Sequence, residues 1–278
     1  MAALFDMIAE MFSFAFMVRA IVVGLLVSLC AALLGVNLVL KRYAMIGTAL
    51  GNVGFAVMAI AGVIDVAPVT VSLPVVTLVA FIMLRLNEKS KVKGDSVVAL
   101  VSTSGIAVGV IFTGLTTGIT LHVCNVMFGS IFAMAQRDMY LSIALSVAVV
   151  GLFVLFYKQL FAVTHDENFA RATGIKVEVY KSLLAILTAV TIVLGMRMMG
   201  ALLIAALTIF PALSAMQICK RFLYVVIASA VIGVVCFFVG MLFSFGLDLP
   251  PGACVVGVNL AVYIVFSCIG FVRRRGFV

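Results

Sequence analysis

Charge is what this sequence has least of. Lys, Arg, Asp and Glu make up only 10% of the 278 residues, against 66% hydrophobic residues and a mean hydropathy of +1.38. Soluble globular domains carry about 25% charged residues, so an ordinary soluble domain is excluded. The apolar runs are long and continuous, without the period-two alternation of a membrane β-barrel. What remains is an all-α polytopic membrane protein, because a span needs about 20 apolar residues and must satisfy its own backbone polar groups. No GxxxxGK[ST] phosphate loop occurs, so any ATP would be handled by another subunit and no enzymatic activity of its own is expected.

Acids are scarcest of all within the apolar runs. Asp65, Asp95, Asp138 and Asp248 all fall at predicted span ends, which leaves no buried carboxylate relay of the proton- or sodium-coupled kind. Asp95, just after Gly94, reads as a charge at a helix N-terminus. The six cysteines, Cys30, Cys124, Cys219, Cys236, Cys254 and Cys268, show no C-x-x-C spacing and lie mostly in or beside apolar runs. They read as small hydrophobes and not as a disulfide or zinc framework. The fifteen methionines read as flexible apolar packing. The N-terminus has neither a basic region ahead of its first apolar stretch nor a clear small-residue cleavage site, so no removable signal peptide is expected.

Cutting the chain at its charges and Pro/Gly punctuation gives candidate spans near 17–40, 45–64, 67–86, 96–117, 139–158, 180–197, 199–218, 222–246 and 252–272, so about eight or nine transmembrane helices in a single transmembrane domain, 1–278. The formal net charge of +8 comes from short basic clusters between these runs, which point to membrane orientation and not to a nucleic-acid partner. With Lys41 and Arg42 placed inside, fifteen of the 18 basic side chains fall inside and only Arg19, Arg137 and Arg197 fall near the outer ends. The expected orientation is N-terminus outside and C-terminus inside, in a multi-pass protein of the cytoplasmic membrane.

Three connecting segments stand out. Residues 1–16, with Asp6 and Glu10 four apart, are expected to lie at the outer interface. Residues 118–138 are too short and polar for an extra crossing and read as a re-entrant or surface segment on the outer side. On the inner side, "FAVTHDENFARATGIKVEVYKS" (161–182) carries helix signals: Thr164 as N-cap with Glu167 three residues on, Asp166 and Glu167 at the N-terminal end, and Gly174 as the stop. A short cytoplasmic helix over 164–175 is predicted, suited to docking a soluble partner.

Within the spans, "MIGTALGNVGF" (45–55) places two polar residues, Thr48 and Asn52, four apart and hence on one helix face. Such a face either lines a pathway or glues spans together by an interhelical hydrogen bond. Pro211 in "LTIFPALSA" is expected to kink its span, with Ala212, Ser214 and Ala215 after it permitting close packing. Gly195 and Gly200 around Arg197 read as a tight turn whose guanidinium snorkels to the outer interface. Asp248, ahead of Pro250 and Pro251, marks a rigid outer loop where a delivery protein could dock.

Taken together, "GLLVSLCAALLGVNLVLKRYAMIG" near the start, "GDSVVALVSTSGIAVG", "MFGSIFAM", "DENFARATGI", "MMGALLIAALTIFPALSA" and "LDLPPGACVV" resemble, in the right order, the permease subunits of ABC importers for zinc, manganese or iron. The resemblance implies a transmembrane subunit that binds no cofactor of its own and pairs as a dimer with a second permease copy. It further implies ATPase subunits beneath, an extracytoplasmic metal-binding protein above, and a metal ion as cargo. It makes 166–175 the ATPase-coupling segment, with Asp166, Glu167, Phe169, Ala170 and Gly174 as its contact residues. An ABC permease for a chelate such as a siderophore or corrinoid, or a channel or scaffold indifferent to ATP, is the alternative.

Two departures from the family pattern bear on the cargo. The resemblance implies an acid and a histidine four apart where this chain has Thr48 and Asn52, and an aspartate ahead of the "FG" pair where it has His122, followed by Cys124. Either the intramembrane metal stop has been dismantled or the polar face is retuned for another cargo. His122 and Cys124 are candidate metal ligands only if their segment is extended or irregular, since residues two apart on a helix point about 200° away from each other.

Overall fold

The apolar runs fold as helices, and their ends fall where the side chains change character. The computed structural model describes residues 11, 13–41, 43, 45–64, 66, 68–89, 94–115 and 136–275. Among these residues there are eleven helices and no strand. In chain order they are α1 (Ala15–Leu40), α2 (Ile46–Val63), α3 (Pro68–Lys89), α4 (Gly94–Gly114), α5 (Gln136–Leu155), α6 (Tyr157–His165), α7 (Glu167–Ala172), α8 (Val177–Met199), α9 (Ala201–Ile218), α10 (Phe222–Leu247) and α11 (Pro251–Arg275). Pro68 and Pro251 open their helices at the first turn, where the missing N–H has no intrahelical partner to lose. Gly200 separates α8 from α9 with φ +90°, the expected tight turn. Asp248 ends α10 in the left-handed region at φ 52°, ahead of Pro250 and Pro251.

Seven of these helices, α1, α2, α4, α8, α9, α10 and α11, are each long and apolar enough to cross a membrane. Helices α5 and α6 form an eighth crossing if counted together, although they are bent by 69° at their junction. The ninth candidate from the sequence corresponds to α3. Its stretch Val71–Met83 is apolar, and Arg85, Glu88 and Lys89 follow in its last turns.

Helix α1 is the axis of the packing. Of its most apolar stretch 78% is buried, against 17% for α11, which presents most of its surface outward. Its residues enter both large cores: Val23, Val27 and Ala31 pack in one with Leu50, Ile192 and Leu207, while Leu34 and Val36 pack in the other with Phe153 and Leu187. Several polar groups inside the bundle find a partner close to home. Thr188 and Thr208 donate to the carbonyls of Leu184 (2.7 Å) and Ile204 (2.8 Å), and Asn259 Nδ2 donates to the Val255 carbonyl (2.8 Å).

The closest packing joins α2 to α4. A Cβ added at Gly105 would sit 2.9 to 3.0 Å from the backbone of Asn52 and Val53, so the two helices meet main chain to main chain. Backbone atoms on α2 cannot move aside as a flexible side chain could. Gly105→Val is therefore expected to destabilise the protein by about 1–3 kcal/mol, the usual range for overpacking. Gly62→Ala, in open space, is the control. Thermal midpoints of the two variants in detergent check the difference.

Candidate functional site

The predicted inner segment is a strap between two helices. Helix α6 continues through Thr164 and His165, and the chain then extends at Asp166 (φ −149°, ψ 107°) before α7 begins. Asp166 is the cap of α7: its Oδ1 accepts from the backbone N–H groups of Asn168 (2.9 Å) and Phe169 (3.1 Å). This corrects the expected cap, Thr164, and shortens the predicted helix over 164–175 to Glu167–Ala172. The reason is a partner distant in sequence, since the Thr164 hydroxyl donates to Asn37 Oδ1 on α1 at 3.0 Å. The stop is as expected. Gly174 adopts φ +81°, and the Ile175 N–H returns to the Ala170 carbonyl at 3.0 Å, closing the helix end.

Glu167 opens α7 and holds it in place. Its Oε1 accepts from Lys41 Nζ at 3.1 Å and its Oε2 from Lys181 Nζ at 2.5 Å. Lys41 is the residue after α1, and Lys181 lies in the second turn of α8, so one carboxylate ties α7 to both. Both lysine side chains are largely buried, with 9% and 10% exposure, whereas Glu167 is 37% exposed. Partial burial alone would raise the Glu167 pKa, but the two lysines outweigh it and hold the carboxyl below its ordinary value. On the far side, Arg171 pairs with Glu178 at 3.3 Å where both are well exposed, an arrangement that contributes little.

The remaining coupling candidates divide by face. Ala170 shares the inward face with Glu167 and is fully buried against Val163 and Val177. Phe169 points the other way and is 63% exposed, a large aromatic ring left uncovered. These five candidates were named from the sequence, but Lys41 and Lys181 were read only as orientation charges. Their pairing spans 126 and 14 residues of chain and leaves no local signature.

The polar face of α2 is only half-buried at Thr48 and Asn52. Asn52 Nδ2 donates to Ser102 Oγ on α4 at 2.7 Å, an interhelical bond of the gluing kind. Pro211 lies inside α9 and is buried, with its Cγ 3.6 Å from where a Cβ would stand at Gly233 on α10. Thr48 and Asn52 thus lie on α2, and Pro211 on α9. His122 and Cys124 lie outside the described residues, as do residues 1–10 and all but the last three residues of 118–138. Among the described residues no three His, Cys, Asp or Glu side chains converge. Opposite the strap, an open cleft of about 430 Å³ is bordered by Phe16, Ser244, Asp248 and Pro250.

Two outcomes follow from these contacts. Because the Glu167 pKa is lowered on folding, its stabilising contribution is present above the ordinary value of 4.5 and is lost as pH falls through the folded value. Wild type and Glu167→Gln should therefore differ most in thermal midpoint at neutral pH and converge in acid, which a pH series in detergent reads directly. Ser102→Ala should cost about 0.6 to 1.7 kcal/mol, the range for hydrogen bonds between membrane helices, and a double-mutant cycle with Asn52→Val should find most of that as coupling.

Comparison with known proteins shows the family and the fold. A relative in Treponema pallidum (strain Nichols), named "Probable metal transport system membrane protein", is 29% identical over 95% of this chain and 99% of its own length. The manganese transport system membrane protein MntC of Halalkalibacterium halodurans is 24% identical over 91% of this chain and 87% of its own. The solved structure of PsaBC from Streptococcus pneumoniae in complex with Fab has the same fold, with a TM-score of 0.84 at 24% identity over 96% of this chain and 95% of that one. The model of the ABC 3 transport family matches residues 13–270, nearly the whole chain, and the chain belongs to that family.

Proposed function

We propose that this chain is the membrane-spanning permease subunit of an ATP-binding-cassette importer that carries a divalent transition metal into the cytoplasm. The observation that carries this reading is the two-faced helix α7, pinned through Glu167 and Ala170 while Phe169 stands 63% exposed. A bare aromatic on a short, capped, anchored helix is a prepared contact for a soluble partner, and a separate ATPase subunit is that partner. Membership of the family and the metal-transport names of its relatives support the cargo class.

In this reading the strap faces the cytoplasm, as the distribution of basic residues favours, with the C-terminus on the same side and the N-terminus outside. The protein works in the cytoplasmic membrane as a pair of permease copies around a central pathway. Each pair takes two ATPases below and a metal-binding protein above, near the cleft beside Asp248. Residues 1–16 lie at the outer interface, and 118–138 lie on the outer side with His122 and Cys124 as candidate ligands. Thr48 and Asn52 line the pathway beside Pro211 as neutral dipoles that let the ion pass without a strong intramembrane stop. Closure of the ATPases on ATP shifts the pair between outward- and inward-facing states as rigid bodies, while metal and permease undergo no covalent change.

Co-purification with the cognate ATPase and uptake of Mn²⁺ into proteoliposomes test the assignment. Uptake is expected only with both subunits and ATP. Phe169→Ala should weaken ATPase binding about tenfold or more, as loss of a buried aromatic contact does. Accumulation by the permease alone under a proton gradient would overturn the assignment.

A further inference from the structure

The permease reading says that α7 receives a push, but not which span takes it. We infer that the push is delivered to α1 through a two-point joint made by Asn37 and Lys41, a positioning device that rests on α7 being the coupling helix. Asn37 and Lys41 are four residues apart at the end of α1 and so share one side of it. They hold Thr164 and Glu167, the residues that flank the break at Asp166. The first contact is the Thr164 hydroxyl on Asn37 Oδ1 at 3.0 Å, and the second is Lys41 Nζ on Glu167 Oε1 at 3.1 Å.

Burial makes both contacts exacting. Asn37 is fully buried and its Nδ2 has no hydrogen-bond partner, so its amide is oriented by Thr164 alone. The Lys41 side chain is 9% exposed, which leaves its ammonium little water to replace a departed carboxylate. Breaking either contact leaves a buried polar group worse served, so the strap and the end of α1 move together. Lys181 holds the other Glu167 oxygen, but it lies only 14 residues further along the chain and keeps the motion within the same hairpin. Lys41 is 126 residues away and carries the motion out of it.

From α1 the path is short. A Cβ at Gly35 would fall 2.0 Å from the Thr208 carbonyl oxygen, so α1 and α9 are in backbone contact three residues before Pro211. The Ser229 hydroxyl of α10 donates to the Ala32 carbonyl at 3.0 Å on the same stretch of α1. Displacing the end of α1 therefore carries with it two further spans, one of them containing the buried proline.

The test is the amount of Mn²⁺ accumulated per ATP hydrolysed by the full permease with its cognate ATPase in proteoliposomes. Lys41→Met should leave the ATPase bound and hydrolysing while uptake per ATP falls about tenfold, within the usual 5- to 150-fold range of coupling between sites. Lys41→Arg keeps the charge and should stay near wild type. Lys181→Met should lower the ratio less than Lys41→Met. If Lys41→Met does not fold, Thr164→Val combined with Glu167→Asp decides by the same ratio, with an expected loss of severalfold. A folded variant that recruits the ATPase and keeps the wild-type ratio overturns the joint alone. A wild-type chain that recruits no ATPase overturns the permease reading, and the joint with it.

Discussion

A backbone surrounded by hydrocarbon has no water to turn to, so each N–H and carbonyl must find its partner within the chain. That constraint makes every described segment of any length a helix, and it governs the polar side chains as well. Among the described residues several fold back onto the preceding turn, as Thr188, Thr208 and Asn259 do. Others reach another helix: Cys30 to the Ser146 carbonyl, Asn52 to Ser102, Ser229 to the Ala32 carbonyl, and at the membrane edge Thr164 to Asn37 and Glu167 to its two lysines. Where apolar packing is non-directional, these few contacts fix which helix is registered against which. Most of them converge on α1, the most buried span.

Local chemistry was readable in the sequence, whereas long-range partnership was not. The apolar runs and the glycines at 174 and 200 act on their own immediate backbone, and the structure has each where the residue type requires. Thr164 illustrates the limit. Its spacing to Glu167 is that of a capping box, yet a hydroxyl has one proton to give, and Asn37 lies within 3.0 Å of it in the folded chain. With Thr164 engaged elsewhere, the next residue with a short oxygen side chain, Asp166, takes the cap.

The lysines carry the sharper lesson. Counted as topogenic charges, Lys41 and Lys181 are interchangeable with the other basic side chains. In the fold these two leave water and share one carboxylate. A charge count averages over environments, and here the environment separates orientation from mechanism. Asn52 shows the converse: its position on the polar face was evident, but its bond to Ser102 depends on Gly105 bringing α4 within reach of α2, a contact that no pattern within either helix encodes.

A joint that passes movement between helices needs a defined rest position as well as adhesion. Apolar side chains at the membrane edge would hold α7 against α1 over a range of offsets, because dispersion attraction changes little when one methyl replaces another as neighbour. A carboxylate whose two oxygens each face a different ammonium has one offset at which both contacts are made, and partial desolvation of the lysines steepens the loss on either side of it. Full burial would make the same contact costly to re-form, and full exposure would let water and salt dissolve it. With 37% of the Glu167 side chain exposed and its lysine partners about nine-tenths buried, the arrangement lies between those limits. It is firm enough to transmit displacement and open enough to reset once in every cycle.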